Sequence, residues 1–174
     1  MPGSGDSCCG ACKKRVTISI GEYHVSSTPV VITTLLGSCV AVCLFDPGSR
    51  IGGMNHILLP GRADLKRFNL PSRFGINAME LLISSMTALG ADHSRIEAKI
   101  FGGSSVIPGI IEEQAVGRKL VEFVTCFLEK ERIRIIGSDL GGFYVRNVYF
   151  HTGTGDVYLK QSHSMKSSIL VAEE

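Results

Sequence analysis

Two residues that together can act as a nucleophile and a base lie 17 positions apart in the first third of the chain. Cys39 follows a Gly37-Ser38 step at the start of an apolar run, and His56 lies in a second run beyond a turn. A cysteine thiolate is a strong nucleophile, and a histidine within hydrogen-bond reach can take the thiol proton and later return it. The pair indicates covalent catalysis if the fold brings the two side chains together.

A tight turn between the two runs predicts that they pair as a β-hairpin. The turn sequence at residues 46–49, Asp-Pro-Gly-Ser, fits a type II turn, in which glycine supplies the positive φ. If Asp46 faces Ser49 across this turn, Cys39 directly faces His56 on one face of the sheet. Directly opposed residues have Cβ atoms roughly 4.5–5.5 Å apart, within reach of a thiol–imidazole hydrogen bond.

The alternative interpretation of Cys39 is an inert buried thiol, because cysteine is among the most buried residue types. The Gly37-Ser38 step favours chemistry, since backbone N–H groups there can be presented to an oxyanion. His56, on an otherwise apolar strand, needs a polar partner if it is buried. A bulge at Gly52-Gly53 would shift the predicted register. Cys43 has no histidine opposite in this register and is predicted to be structural.

The elements that must position the pair are predicted from periodicity. The pattern predicts an α+β fold, a single domain with a mixed or antiparallel β core of about eight strands flanked by two long helices. The predicted strands cover residues 16–20, 30–35, 39–45, 50–59, 95–101, 144–150 and 157–160, with another beginning at 133. The predicted helices cover residues 76–89 and 116–130, and Cys126 in the second helix is expected to lie in the core.

The chain is organised as one domain between two tails. Its 174 residues suffice for one domain with a real core. Residues 1–14 are small, polar and aperiodic and are predicted to be a disordered tail. We expect the folded domain at 15–161, and a tail or short closing segment at 162–174.

Composition narrows the class of function and the compartment. The net charge of +2 gives no case for a nucleic-acid partner. No apolar run reaches the roughly 18 residues of a membrane helix, and the start lacks a signal-peptide core, so we expect no membrane insertion and a cytoplasmic location. We expect Cys8, Cys9 and Cys12 to be exposed tail thiols that are prone to oxidation. Cys9 and Cys12 have the spacing of half a zinc site, but no second ligand pair matches, and no metal is expected.

The segments around the pair resemble the chemoreceptor glutamine deamidases, the CheD family of bacterial chemotaxis. The likeness covers about residues 16–160. Its motifs are Thr33-x-x-Leu36-Gly37-Ser38-Cys39-Val40-Ala41-Val42, Gly53-Met54-Asn55-His56-x-x-Leu59-Pro60, Glu97-Ala98-Lys99-Ile100-Phe101-Gly102-Gly103 and Asp139-Leu140-Gly141-Gly142 with Arg146. The resemblance implies a cysteine-hydrolase-like sandwich.

The resemblance also implies a catalytic triad. The family's cysteine, histidine and threonine fall on Cys39, His56 and Thr33, and the six-residue spacing selects Thr33 over Thr34. The hydroxyl of Thr33 would hold the imidazole in the productive tautomer, as an acidic or amide side chain does in other triads.

Five further residues are expected to bind the oxyanion or the substrate. Gly37 and Ser38 flank the nucleophile. Gly102, Gly103 and Ser104 follow a strand and either line the cleft or only turn the chain. The stretch lacks the phosphate-loop pattern, so phosphate binding is not expected.

The function that the resemblance implies is deamidation of glutamines on the cytoplasmic helices of methyl-accepting chemotaxis receptors. The reaction would pass through a thioester and release ammonia, with no metal or organic cofactor. Family members also bind a chemotaxis phosphatase of the CheC type. The alternative is therefore a non-catalytic regulatory partner of such a phosphatase.

Overall fold

The computed structural model describes residues 14–61, 74–105 and 116–163 as two β-sheets and two helices. The strands are β1 (Arg15–Thr17), β2 (Tyr23–Ser26), β3 (Val31–Leu36), β4 (Val40–Asp46), β5 (Ile51–Ile57), β6 (Glu97–Gly102), β7 (Arg134–Leu140), β8 (Tyr144–His151) and β9 (Val157–His163). The helices are α1 (Gly75–Ala88) and α2 (Val116–Lys130), with a 3-10 helix at His93–Arg95. The predicted α+β class is confirmed; predictions for most of the two tails and for the thiols of Cys8, Cys9 and Cys12 lie outside the described residues.

The strands form two mixed sheets. The four-stranded sheet has the order β1-β3-β8-β9, and the five-stranded sheet has the order β2-β5-β4-β6-β7. β1 pairs with β3, and β6 with β7, in parallel, while the other neighbours are antiparallel. β2 is an additional strand that the sequence did not predict, since its Tyr-His-Val-Ser sequence lacks a clear alternation of apolar and polar residues.

β4 separates two hydrophobic cores. One core, here the helix-side core, packs the five-stranded sheet against α1 and α2 and includes Val40, Val42, Leu44, Met79, Leu82, Leu120, Val124 and Leu128. The other, the inter-sheet core, fills the space between the sheets and includes Ile32, Leu36, Cys39, Ala41, Cys43, Met54, Phe101 and Phe150. Alternate β4 residues enter opposite cores, which explains why the strand is apolar throughout.

The turn between β4 and β5 differs from the predicted one. Asp46 faces Ile51, so the loop has four residues, and the Arg50 N–H donates to the Asp46 carbonyl at 2.8 Å. The positive φ of 54° belongs to Arg50 and not to a glycine. The predicted type II turn is therefore wrong, and the register is shifted by two residues: His56 faces Ala41.

The buried carboxylate of Asp46 organises this loop. It accepts hydrogen bonds from the N–H of Gly48 at 2.8 Å, the hydroxyl of Ser49 at 2.9 Å and the N–H of Asp92 at 2.8 Å. Arg95 adds two guanidinium contacts, each at 3.0 Å. The hydrogen bonds with Arg95 hold the pKa of Asp46 well below its usual range. Because these partners hold Asp46 in place as the last residue of β4, the loop is two residues longer than the predicted one.

The β-bulge considered at Gly52-Gly53 does not occur. The register between β4 and β5 is unbroken from Asp46 to Val40. A Cβ on Gly53 would lie 2.8 Å from Leu82 Cδ1 and 2.9 Å from Val25 Cγ2. Glycine is therefore required at this position because α1 and β2 approach the strand closely.

α2 has the predicted bounds, but its cysteine is placed differently. Leu120, Val124 and Leu128 form the buried stripe expected from helical spacing. Cys126 lies off this stripe and is exposed, so the expectation that it belongs to the core is wrong. Within the described ranges, neither helix combines the length and apolar character needed to cross a membrane.

Candidate active site

The alternation of β5 turns His56 into the space between the two sheets. Its neighbour Asn55 faces the helices, where its amide accepts from the Val42 N–H at 3.1 Å and donates to the Ala78 carbonyl at 3.3 Å. These contacts fix Asn55 on the helix side. His56 therefore projects into the opposite side of the sheet and is only 3% exposed.

The imidazole of His56 has one hydrogen-bond partner in the part of the chain that the structure describes. Its Nδ1 lies 2.8 Å from the Oγ1 of Thr34 on β3. The other ring nitrogen, Nε2, is buried and has no partner among the described residues. A buried nitrogen left unpaired costs stability, and a catalytic role is one reason why such a group is retained. The free Nε2 is therefore the atom of this site available for proton transfer.

Thr33, the threonine that the resemblance selects, contacts a different residue. Its hydroxyl lies 3.0 Å from that of Thr17, and no hydrogen bond joins it to His56. The expected contact with the imidazole is thus made by Thr34, while a catalytic role for Thr33 stays a prediction. Strand alternation could have identified Thr34 as the threonine that contacts His56. Ile32 and Leu36 enter the inter-sheet core, and Thr34 lies between them on the same face.

Cys39 lies immediately before β4, on the face that also holds Ala41 and Cys43. Since Ala41 faces His56, Cys39 occupies a diagonal position, where Cβ atoms are separated by roughly 7–8 Å or somewhat less. The prediction that Cys39 directly faces His56 is therefore wrong, because the loop is longer than expected. The prediction that both lie on one face is confirmed, since a shift of two residues preserves the face.

Cys43 lies on the other diagonal of His56, and its surroundings distinguish it from Cys39. It faces Met54 inside the ladder, is 2% exposed, and burial strongly raises the pKa of its thiol. Cys39 is 7% exposed and lies at the end of the strand, beside Gly37 and Ser38. Both thiols are buried, and Cys39 differs from Cys43 in its slightly larger exposure and in its position at the end of the strand.

Burial keeps the two candidate catalytic groups neutral. It raises the pKa of the Cys39 thiol and lowers the pKa of His56 to about 4. Desolvation disfavours the charged form in each case. At neutral pH the resting site therefore contains a thiol and a neutral imidazole rather than a preformed ion pair.

The loop after β6 supports the backbone around Cys39. The Gly103 N–H donates to the Cys39 carbonyl at 2.8 Å, and the Ser104 N–H donates to the Gly37 carbonyl at 3.1 Å. Gly102 has a φ of 108°, and a Cβ there would lie 2.2 Å from the Cys39 oxygen. The predicted site residues on the two segments are thus brought together.

The carbonyls of Gly37 and Cys39 are hydrogen-bonded to this loop, whereas the N–H groups of Ser38 and Cys39 are not. Among the described residues, no backbone hydrogen bond engages the N–H of Ser38 or of Cys39. An oxyanion site requires N–H groups that are available as donors, and these two are the candidates in this segment.

A buried polar network anchors Ser104. Its hydroxyl donates to the Gly141 carbonyl at 3.1 Å and accepts from Arg146, which is 2% exposed. Arg146 also pairs with Asp139 at 2.9 Å, and this contact lowers the pKa of Asp139. Asp139 is therefore an ion-pair residue within β7. The Ser104 hydroxyl is occupied by protein contacts.

Potential metal ligands do not converge in the described ranges. No three His, Cys, Asp or Glu side chains there lie close enough to hold an ion. The chemistry that the described site offers is that of a thiol, an imidazole and backbone N–H groups.

Comparisons with known proteins connect the chain to a family. Residues 58–161 match the family model described as CheD chemotactic sensory transduction. A probable chemoreceptor glutamine deamidase CheD 2 of Chromobacterium violaceum is 47% identical over 84% of this chain and 73% of that protein. A probable chemoreceptor glutamine deamidase CheD 1 of Dechloromonas aromatica is 40% identical over 88% of this chain and 76% of its own length. A probable chemoreceptor glutamine deamidase CheD of Caulobacter sp. is 46% identical over 82% of this chain and 75% of its own length.

Proposed function

Because this chain belongs to the CheD family of chemotactic sensory transduction proteins, we propose that it is a protein-glutamine deamidase. It converts glutamine side chains on the cytoplasmic helices of methyl-accepting chemotaxis receptors to glutamate and releases ammonia. The observation that supports this most directly is the buried Nε2 of His56, which has no hydrogen-bond partner among the described residues and belongs to the sheet face that also holds Cys39.

The first half of the reaction forms a thioester. Nε2 of His56 takes the proton of the Cys39 thiol while the sulfur attacks the side-chain carbonyl carbon of the glutamine. The N–H groups of Ser38 and Cys39 bind the oxyanion of the tetrahedral intermediate. The C–N bond then breaks, and the imidazolium returns the proton to the departing nitrogen, which leaves as ammonia.

The second half hydrolyses the thioester. His56 takes a proton from water, and the water oxygen attacks the thioester carbon. The C–S bond breaks, the imidazolium reprotonates the sulfur of Cys39, and the product acid ionises to glutamate. Because burial disfavours both charged forms in the resting site, proton transfer accompanies attack instead of preceding it.

The proposed partners follow from the substrate. The receptor supplies the glutamine, and a chemotaxis phosphatase of the CheC type is the proposed regulatory partner. A receptor's cytoplasmic helices are accessible only from the cytoplasm, so the protein acts there. Thr33 remains a predicted third member of the site on the basis of its spacing from Cys39.

The test compares two cysteines on one sheet face. The protein is incubated with the cytoplasmic fragment of a methyl-accepting receptor, and ammonia and receptor peptide masses are measured. Deamidation adds about 1 Da per glutamine, because an amide becomes an acid. We expect Cys39→Ala to abolish both signals and Cys43→Ala, the matched control, to retain them.

The outcomes are distinct. Full activity of the Cys39→Ala variant would exclude Cys39 as the nucleophile. A wild-type protein that forms no product on receptor fragments, yet stimulates a CheC-type phosphatase equally well with Cys39→Ala, would favour the regulatory alternative.

A further inference from the structure

We infer that Thr34 is the positioning residue for His56 and holds its imidazole in the Nδ1–H tautomer, with the lone pair of Nε2 turned away from β3. The catalytic meaning of this inference rests on the proposed function, whereas the tautomer itself is a property of the folded protein. Thr34 differs from the threonine that family spacing selects, Thr33.

The tautomer follows from counting the hydrogens at Thr34. Its Oγ1 lies 2.8 Å from the carbonyl oxygen of Ile18 and 2.8 Å from Nδ1 of His56. A hydroxyl has one hydrogen, and a carbonyl oxygen can only accept. Thr34 therefore donates to Ile18, and its oxygen must accept from His56. Nδ1 consequently carries the hydrogen, and in the neutral ring Nε2 has the lone pair.

The carbonyl of Ile18, which accepts the hydrogen of Thr34, is itself held in place. The N–H of Ile18 donates to the carbonyl of Thr33 at 2.9 Å, so the Ile18 peptide is tied to β3. Ile18, Thr34 and His56 are all buried, at 4%, 4% and 3% exposure. In the other tautomer the single hydrogen of Thr34 could satisfy only Nδ1 or the Ile18 carbonyl, so two acceptors would be left facing each other at 2.8 Å in a space with little solvent to relieve the mismatch.

The orientation serves the proposed reaction. The two ring nitrogens point away from one another, so a hydrogen bond from Nδ1 to β3 leaves Nε2 on the opposite side of the ring. Nε2 has no partner among the described residues. A general base must present a lone pair to the thiol, and the Nδ1–H tautomer does this.

The neighbouring threonine provides a matched control. Thr33 has the same side chain one residue earlier, but strand alternation places it on the other face, with its hydroxyl at 3.0 Å from that of Thr17. Removing its hydroxyl leaves the Thr34–His56 contact intact.

The experiment combines nitrogen NMR with kinetics on the full chain. In protein labelled with ¹⁵N at histidine, the protonated and bare ring nitrogens of His56 are distinguished at neutral pH. We expect Nδ1–H in the wild type, Thr34→Ser and Thr33→Val, and a mixture or Nε2–H in Thr34→Val. On receptor fragments, we expect kcat of Thr34→Val to fall on the order of 10- to 100-fold with little change in KM, and Thr34→Ser to restore most of it.

Each result decides the inference. An Nε2–H signal in the wild type would overturn it, even if Thr34→Val does not fold. Retention of Nδ1–H in Thr34→Val would overturn it as well, and loss of Nδ1–H in Thr33→Val would assign the role to Thr33. An Nδ1–H signal that depends on Thr34, in a protein that deamidates no receptor, would support the positioning inference while contradicting the proposed function.

Discussion

Acidification should destabilise this protein through His56 before its buried carboxylates lose their charge. Burial lowers the pKa of His56 to about 4 from an ordinary value of 6.5. Between these two pH values the unfolded chain binds a proton that the folded protein does not, so stability falls as the pH falls. The effect begins near pH 6.5 and is nearly complete at pH 4.

The magnitude follows from the shift in pKa. One pKa unit corresponds to about 1.4 kcal/mol, so lowering the pH from 7 to 4 should remove about 3 kcal/mol of stability through this residue alone. That is a large share of the 5–15 kcal/mol by which proteins of this kind are typically stable. Cys39 does not contribute in this range, because burial raises the pKa of its thiol and keeps it neutral.

The assay is urea unfolding at pH 7, 6, 5 and 4 for the wild type and for His56→Gln, which has no proton to bind. Other groups titrate alike in both proteins, so the difference between the two pH dependences isolates His56. Parallel pH dependences for the wild type and His56→Gln would refute the reasoning.

Two further predictions concern the loop and the backbone beside the site. Asp46→Asn should lower the free energy of unfolding by about 2 kcal/mol at pH 7, since it removes the charge from hydrogen bonds to Arg95. The loss should shrink below about pH 4, because there the carboxyl of Asp46 binds a proton in the unfolded wild-type chain but stays charged in the folded protein, which reduces the stability that the charge contributes. An equal loss at pH 7 and pH 3 in urea unfolding would contradict it. Gly102→Ala should destabilise by about 2 kcal/mol more than Gly141→Ala and lower deamidase activity, because both positions have positive φ but only Gly102 lies against the Cys39 carbonyl. Equal thermal unfolding midpoints for the two alanine variants would exclude that clash.

The sequence by itself determined the local features of this protein. Helical spacing predicted α2 at its observed bounds, and the continuous apolar run predicted that β4 is covered on both faces. Strand alternation predicted that Cys39 and His56 share a face, and this held although the register was wrong by two residues. These features follow from periodicity, which depends only on residues near each other in the chain.

The tertiary structure decided how the predicted elements meet. The hairpin register depends on Asp46, whose partners Asp92 and Arg95 lie 46 and 49 residues further along the chain. The contact between Thr34 and His56 joins strands of different sheets. No local pattern encodes such contacts, because they exist only once the sheets stack and buried polar groups must find partners. The shared face of Cys39 and His56 was therefore visible in the sequence, and the hydroxyl that contacts the imidazole was not.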